Sequence, residues 1–316
     1  MYNIHKNNKD YREVFKDTLS YLMTENRDVI YLDADLAGAI STSSLFKEFP
    51  SQAFDMGIME ANMVGVASGM SVRGKIPFIH TFGPFASRRC ADQTFISGCY
   101  NKANVKIIGS DPGITAQTNG GTHMPFEDIA IYRSYPDITI LDVADHTLLE
   151  YVLRIIYDTY GVVYLRFPRK GKNSYYLDNE EFSIGKGKIL RDGPDATIIA
   201  SGIEVIPALK AAETLEAIGI NVRVVDMFTI KPIDVDLIIK CAKETGAIVT
   251  AENHNIIGGL GSGVAEVISE NAPVPLCRIG VHDQFGEVGS LNYLSEKFHL
   301  NDTDIIEAVK KVIARK

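Results

Sequence analysis

Glu60 is the one ionisable side chain in the stretch GIMEANMVGVASGMSV, and no further charge follows it before Arg73. A surface helix carries charge on its outer face, so a helix near 60–73 is expected to be buried all round or to lie at a subunit contact. A carboxylate there loses solvent, and a desolvated acid suits proton exchange with a ligand. An acidic residue favoured by the dipole at a helix start is the other reading, and the residues alone leave both open.

Other candidates come directly after predicted strands. In HTFGPFASRR, Phe82 and Phe85 stand three apart around Gly83–Pro84, as core filler or as the wall of a pocket. The loop SDPGITAQTNGGTHMPFEDIA runs through Asp111, Gly113, Asn119, Gly120 and Gly121 to His123. A long glycine-rich loop inside a compact domain is usually functional, and glycines let backbone approach a ligand closely. Arg166 in VVYLRFPRK and Arg12 near the first helix could each make a surface ion pair, or converge as a clamp for an anion. Asp33 and Asp35 end a strand, where an Asp ordinarily caps the next turn. The run ENHNIIGGLGSGVAEVI lacks the phosphate-loop lysine, so tight strand–helix packing or a domain contact explains it better than nucleotide binding.

The elements that must carry these residues alternate regularly. Tyr11, Val14, Phe15, Leu19 and Leu22 predict a helix over 10–25. Apolar runs at DVIYLDADL, KIPFIHTF, NVKIIGSD, DITILDVAD and VVYLRFP predict strands covered on both faces, with helices near 60–73, 86–101, 125–132 and 146–158. Residues 1–170 therefore read as one α/β domain. The polar segment 171–192 reads as a linker with a short hairpin. Residues 193–316 repeat the alternation at DATIIASG, NVRVVDMFTIKP, GAIVTAEN and PVPLCRIG, with helices near 205–217, 234–244, 260–270 and 302–314. The fold class is α/β, two doubly wound and mostly parallel sheets. Ligands of such sheets bind beyond the carboxyl ends of the strands, where the candidates fall.

Composition narrows the partners. The 316 residues carry a net charge of −8, which disfavours a nucleic-acid or anionic-membrane binder. No apolar run approaches the length of a membrane span, and MYNIHKNNKDYREVF has no signal-like apolar core. Four dispersed cysteines form neither a disulfide framework nor a zinc pair. A soluble, cytoplasmic protein is expected, with no metal site of its own.

GIMEANM, HTFGPF and NGGTHMPFEDIA, in that order and spacing, resemble the cofactor-glutamate segment, the T-F-x-x-F segment and the G-x-T-H-Q-P loop of transketolase. The resemblance covers essentially the whole chain, as a pyrimidine-binding domain followed by the smaller transketolase C-terminal domain. No G-D-G occurs, so the chain is similar to the C-terminal subunit of a split transketolase. That implies thiamine diphosphate as cofactor and an N-terminal partner subunit holding magnesium and the diphosphate. It also implies a heterotetramer in which a second copy of this chain covers the Glu60 helix. The implied reaction transfers a two-carbon ketol unit from a ketose, phosphorylated or otherwise anionic, to an aldose.

By the same resemblance, Glu60 would bond the aminopyrimidine ring nitrogen and favour its imino tautomer. Phe82 would stack on that ring with Phe85 behind, and Asp35 would approach the cofactor across the interface. His123 would serve the substrate oxygens, and Arg12 and Arg166 would bind the remote anion. Three positions depart from the family pattern: Asn119 replaces an Asp that reads the donor's C2 hydroxyl, Asp111 a phosphate-binding His, and Ala39 a Ser. The departures leave the substrate's anion, phosphate or sulfonate, open. The alternatives are a 2-oxoacid dehydrogenase β subunit, a deoxyxylulose-phosphate-synthase-like enzyme, and a non-catalytic partner subunit.

Overall fold

The structure, a computed structural model, describes residue 2 and residues 4–316. Its strands in chain order are β1 (His5–Lys6), β2 (Val29–Asp33), β3 (Ala53–Asp55), β4 (Ile76–Phe82), β5 (Lys106–Ser110), β6 (Thr139–Asp142) and β7 (Val163–Phe167). They continue as β8 (Asn173–Ser174), β9 (Lys188–Arg191), β10 (Ala196–Ala200), β11 (Val222–Asp226), β12 (Thr229–Lys231), β13 (Ile248–Asn255) and β14 (Leu276–Val281). A seven-stranded sheet has the order β12-β6-β7-β5-β4-β2-β3, and a five-stranded sheet the order β14-β13-β10-β11-β9. Both are parallel except for one edge strand each, β12 and β9. β2, β5 and β7 are buried at every position, as continuous apolar runs between two helix layers must be.

Register puts the strand exits side by side. Asp33 pairs with His80, Phe82 with Ser110, and Ser110 with Phe167. The loops leaving β2, β4, β5 and β7 therefore start from one edge of the sheet, which is how residues 35, 82, 111 and 169 become neighbours.

The predicted helices form at Tyr11–Glu25, Glu60–Val72, Asp128–Arg133, His146–Asp158, Val205–Glu216, Val235–Thr245, Leu260–Asn271 and Asp302–Ile313. The stretch expected as one helix over 86–101 is instead a chain of turns. It comprises a helix Gly83–Ser87, a 3-10 turn Arg88–Cys90, a single helical turn Ala91–Gln93 and a π-helical turn Thr94–Tyr100. A short helix Leu291–Lys297 forms where the sequence predicts none.

The segment 171–192 is no free linker and contains no hairpin. β8 pairs with β1, while β9 joins the second sheet beside β11. Between them Tyr175, Tyr176 and Phe182 are buried. Asp145 takes the Ser174 hydroxyl (2.6 Å) and the Tyr175 amide (2.7 Å), and Asp226 takes both tyrosine hydroxyls (2.9 and 3.0 Å). The 193–316 part also lends β12 to the first sheet, antiparallel to β6. These pairings are long-range, and a polar local composition does not signal them. Among the described residues no helix is long and apolar enough to cross a membrane.

Candidate active site

Glu60 opens the helix Glu60–Val72 and is 2% exposed. Its Oε1 accepts from Arg89 Nη1 at 2.6 Å and from Thr81 at 3.5 Å. Its Oε2 has no hydrogen-bond partner among the described residues. The Arg89 guanidinium lies 3.9 Å from the centre of the Phe85 ring, and Arg169 lies 4.7 Å from that of Phe82. His123 stands edge-on to both rings, 5.2 Å from Phe85 and 6.0 Å from Phe82, with Nδ1 bonded to Thr122 at 2.9 Å. The structure thus gathers Glu60, Phe82, Phe85 and His123 into one cluster.

The cluster is held from below by a sealed relay. Asp33 is hydrogen-bonded to His80 Nδ1 (2.7 Å), and His80 Nε2 to Ser110 (2.9 Å), with Tyr31 also on Asp33 (2.6 Å). The Asp–His–Ser order is that of a nucleophilic triad, but all three side chains are inaccessible, so no substrate reaches the serine. Burial alone would raise the Asp33 carboxyl. Its bonds to His80, Tyr31 and the Leu36 amide instead hold it below its ordinary value. The relay links the exits of β2, β4 and β5 and so fixes the start of the loop that leaves each strand. Asp33 itself caps the next turn through the Leu36 amide (2.5 Å), as expected of a strand-end Asp.

Arg166, expected to bind an anion, does not reach the site. It is wholly inaccessible, between Asp128 (2.9 Å) and Asp142 (2.9 Å), and also donates to the Asn253 carbonyl (3.1 Å). The reason is register: Arg166 is the penultimate residue of β7 and still points into packed interior, where it pins the second domain's strand β13. Burial lowers the guanidinium's proton affinity, but the two aspartates more than offset this and hold its pKa above the ordinary value. Arg169, three residues on and past the strand's end, is the arginine that reaches the site. It donates to Asp111 through Nε (2.6 Å), and a second nitrogen lies 2.5 Å from that carboxylate.

Asp111 therefore spends its charge on holding Arg169. Arg12 lies at the same edge, its amide donating to the Arg169 carbonyl (3.1 Å), with its buried Nε unpartnered. The Ala39 carbonyl accepts from Arg169 Nη1 (3.5 Å). Asn119 is exposed, and with Asp111, Arg169, Lys170, Glu204 and Lys210 lines a cavity of about 440 Å³ between the domains. Asp35 is exposed at the exit of β2, its amide bonded to Asp55 (3.1 Å).

The second domain positions the His123 loop from behind. Asn253 accepts from the Ile114 amide (2.9 Å) and donates to the Pro112 carbonyl (2.8 Å). A side chain at Gly121 would collide with the Gly286 carbonyl, and one at Gly286 with Met124, so these loops pack backbone to backbone. The glycine run after β13 has no vacancy for an anion either. Glu252, whose pKa burial raises to about 7, accepts from the Leu260 (2.6 Å) and Gly261 (2.8 Å) amides at the helix start.

Sequence reasoning missed Arg89, Arg169, His80 and Asn253. Arg89 had a usable signal, since Phe85 and Arg89 are four apart on helical turns. Arg169 had one in the Pro168 that ends the strand run. Asn253 and Gly286 had none, because their contacts cross between domains.

An aminopyrimidine fits this cluster. The buried acid has an unused oxygen, and a planar nitrogen-rich cation, the Arg89 guanidinium, already makes the stack-and-bond pair of contacts such a ring would make. Among the described residues no group of three His, Cys, Asp or Glu side chains converges to hold a metal ion.

Comparison with known proteins defines the class. A family model described as transketolase, pyrimidine binding domain, matches residues 7–173, and one described as transketolase, C-terminal domain, matches 185–305. The chain belongs to the transketolase family. Within it, the chain corresponds to the C-terminal subunit of split forms. A 6-deoxy-6-sulfo-D-fructose transketolase subunit from Clostridium sp. (strain MSTE9) is 46% identical over 305 residues, spanning 96% of this chain and 95% of that protein. An apulose-4-phosphate transketolase subunit from Phocaeicola vulgatus is 36% identical, over 95% and 97% of the two chains. The solved structure of a split-gene transketolase, an inactive beta4 tetramer, superposes with a TM-score of 0.88 at 42% identity, over 96% of this chain and 98% of that one.

Proposed function

We propose that this chain is the C-terminal subunit of a two-chain transketolase that moves a two-carbon ketol unit from an anionic ketose to an aldose. The observation that carries the reading is Glu60: a buried carboxylate with one free oxygen, beside Phe82, Phe85 and His123. Thiamine diphosphate, when bound, supplies the electron sink for breaking and making the carbon–carbon bond.

The chain's own residues do the rest. Glu60 holds a proton at Oε2 against the ring nitrogen, and Phe82 and Phe85 orient the ring. Asp35 approaches from the exit of β2. His123 moves a proton at its free Nε2 to or from the substrate oxygen. Arg169, steadied by Asp111, and Arg12 bind the remote anion and so align the reacting end, with Asn119 beside them. Magnesium and the diphosphate belong to an N-terminal partner subunit. A second copy of this chain covers the uncharged outer face of the Glu60 helix, where Asn62, Gly65, Gly69 and Val72 are exposed beside Ile96 and Tyr100. The working unit is then two chains of each kind, in the cytoplasm, where the thiols of Cys90, Cys99 and Cys241, all buried, remain reduced. The similar 6-deoxy-6-sulfo-D-fructose and apulose-4-phosphate transketolase subunits support a sulfonated or phosphorylated sugar as the substrate class.

The test mixes this chain with its partner subunit, magnesium and thiamine diphosphate, and offers phosphorylated and sulfonated ketoses with aldehyde acceptors. Ketol transfer dependent on both chains is expected. Decarboxylation of pyruvate without ketol transfer would replace the proposal with the synthase-like reading.

A further inference from the structure

Arg89 is held in an unusual way for a half-exposed arginine. Its side chain is 46% exposed, yet its guanidinium carbon lies over the Phe85 ring at 3.9 Å and the group donates at 2.6 Å to an acid that is 2% exposed. Arg88 next to it is committed elsewhere, to Glu127 (3.1 Å) and the Thr122 carbonyl (3.1 Å), so the two arginines do not share a role. Arg89 makes no ion pair other than Glu60 among the described residues.

A guanidinium is planar, carries N–H donors in its plane and stacks on aromatic faces. An aminopyrimidine is planar, bonds a carboxyl through its ring edge and stacks in the same way. At 3.9 Å from the Phe85 ring and bonded to Glu60, the guanidinium lies where a ring held by Glu60, stacked on Phe82 with Phe85 behind it, would have to enter. Glu60 also accepts from Arg89 through Oε1, so the guanidinium holds one of the two carboxyl oxygens that a ring edge would meet.

We propose that Arg89 is a built-in placeholder for the cofactor ring: it occupies the Glu60–Phe85 contacts in the free subunit and must swing out before the aminopyrimidine binds. The inference rests on the cofactor role given to Glu60. Its consequence is an apparent cofactor affinity lowered by the fraction of chains in which Arg89 is latched, because only the unlatched form is competent to bind. The exposed stem of Arg89 gives the guanidinium somewhere to go, and its pairing keeps a buried charge from standing alone while the site is empty.

The test uses the whole chain without its partner, titrated with 4-amino-2,5-dimethylpyrimidine and followed by ligand-observed NMR. Arg89→Ala and Arg89→Gln are each expected to bind the ring at least five-fold more tightly than wild type. Adding Glu60→Gln to Arg89→Ala is expected to remove that gain. Equal or weaker binding by both Arg89 variants, or no binding by any form, would overturn the placeholder. A parallel measurement of thiamine diphosphate binding to the wild-type two-chain complex separates the two failures. No binding there sinks the cofactor reading itself, whereas binding there with no gain from the Arg89 variants sinks only the latch.

Discussion

Two clusters of charge lie at the carboxyl ends of the same sheet, and they treat arginine and carboxylate in opposite ways. Behind the His123 loop, Arg166, Asp128 and Asp142 are locked together with the Asn253 carbonyl, all closed to solvent. In front of it, Glu60 has an unused oxygen, and Arg89 and Arg169 rest on aromatic faces with part of their surface in solvent. A buried charge must have its partners built in, because an unpaired one costs several kcal/mol. A charge at an open edge can leave a partner to be supplied by a ligand. Arg166 keeps one buried nitrogen, Nε, without a partner. What separates the two clusters is therefore the counter-charge built in on both sides of Arg166 together with complete closure to solvent, and not residue type or nearness to a strand end.

The contrast can be broken first at Glu60. Glu60→Gln should reduce ketol transfer by the reconstituted complex by about 10³-fold, roughly 4 kcal/mol, while thermal melting stays close to wild type. Retained turnover in a folded, assembled variant would remove Glu60 from the mechanism.

Arg166→Met should do the reverse. It leaves Asp128 and Asp142 buried without a counter-charge, so urea unfolding should show a loss of about 3–5 kcal/mol. A variant as stable as wild type would mean the rear cluster is not held by this arginine.

Arg169→Lys sharpens the contrast between the two arginines of one strand exit. Lysine cannot reproduce the two-nitrogen grip on Asp111 or the stack on Phe82. The expectation is a roughly tenfold rise in KM for anionic donors, about 1.4 kcal/mol, with little change in melting temperature. An unchanged KM would take Arg169 out of anion binding.

An effect that depends on pH lies at Glu204, in the wall of the interdomain cavity. Burial raises its pKa to about 8, with Asp142 and Asp304 adding to the shift, from an ordinary 4.5. Between those values the folded chain keeps a proton that the unfolded chain has released, so this group's contribution to stability falls as pH rises through that window. Glu204→Gln should melt near wild type at about pH 5 and a few degrees above it at about pH 8.5. Parallel curves across that range would show that Glu204 is ionised throughout.

The strand–helix alternation could be read from the residues, because a strand covered on both faces must be a continuous apolar run, and β2, β5 and β7 are such runs. Glu60 could be read because one acid in a charge-free helix is a local anomaly. The departures arose where contact partners are distant in the chain. The apparent linker owes its buried tyrosines to Asp145 and Asp226, and the first sheet takes β12 from the other domain. Arg166 and Arg169 are only three residues apart, and which of them was sealed inside and which reached the open edge depended on where β7 ended.

The order of elements, the two α/β units and the segments around residues 60, 82 and 123 were thus determined by the sequence, since periodicity and local composition act over a few residues. Tertiary structure alone decided which arginine was sealed and which was open, that Asp111 is paired with Arg169, and that Arg89 sits on Glu60. Those outcomes depend on strand register and domain docking, which bring together side chains whose separation along the chain carries no trace of their meeting.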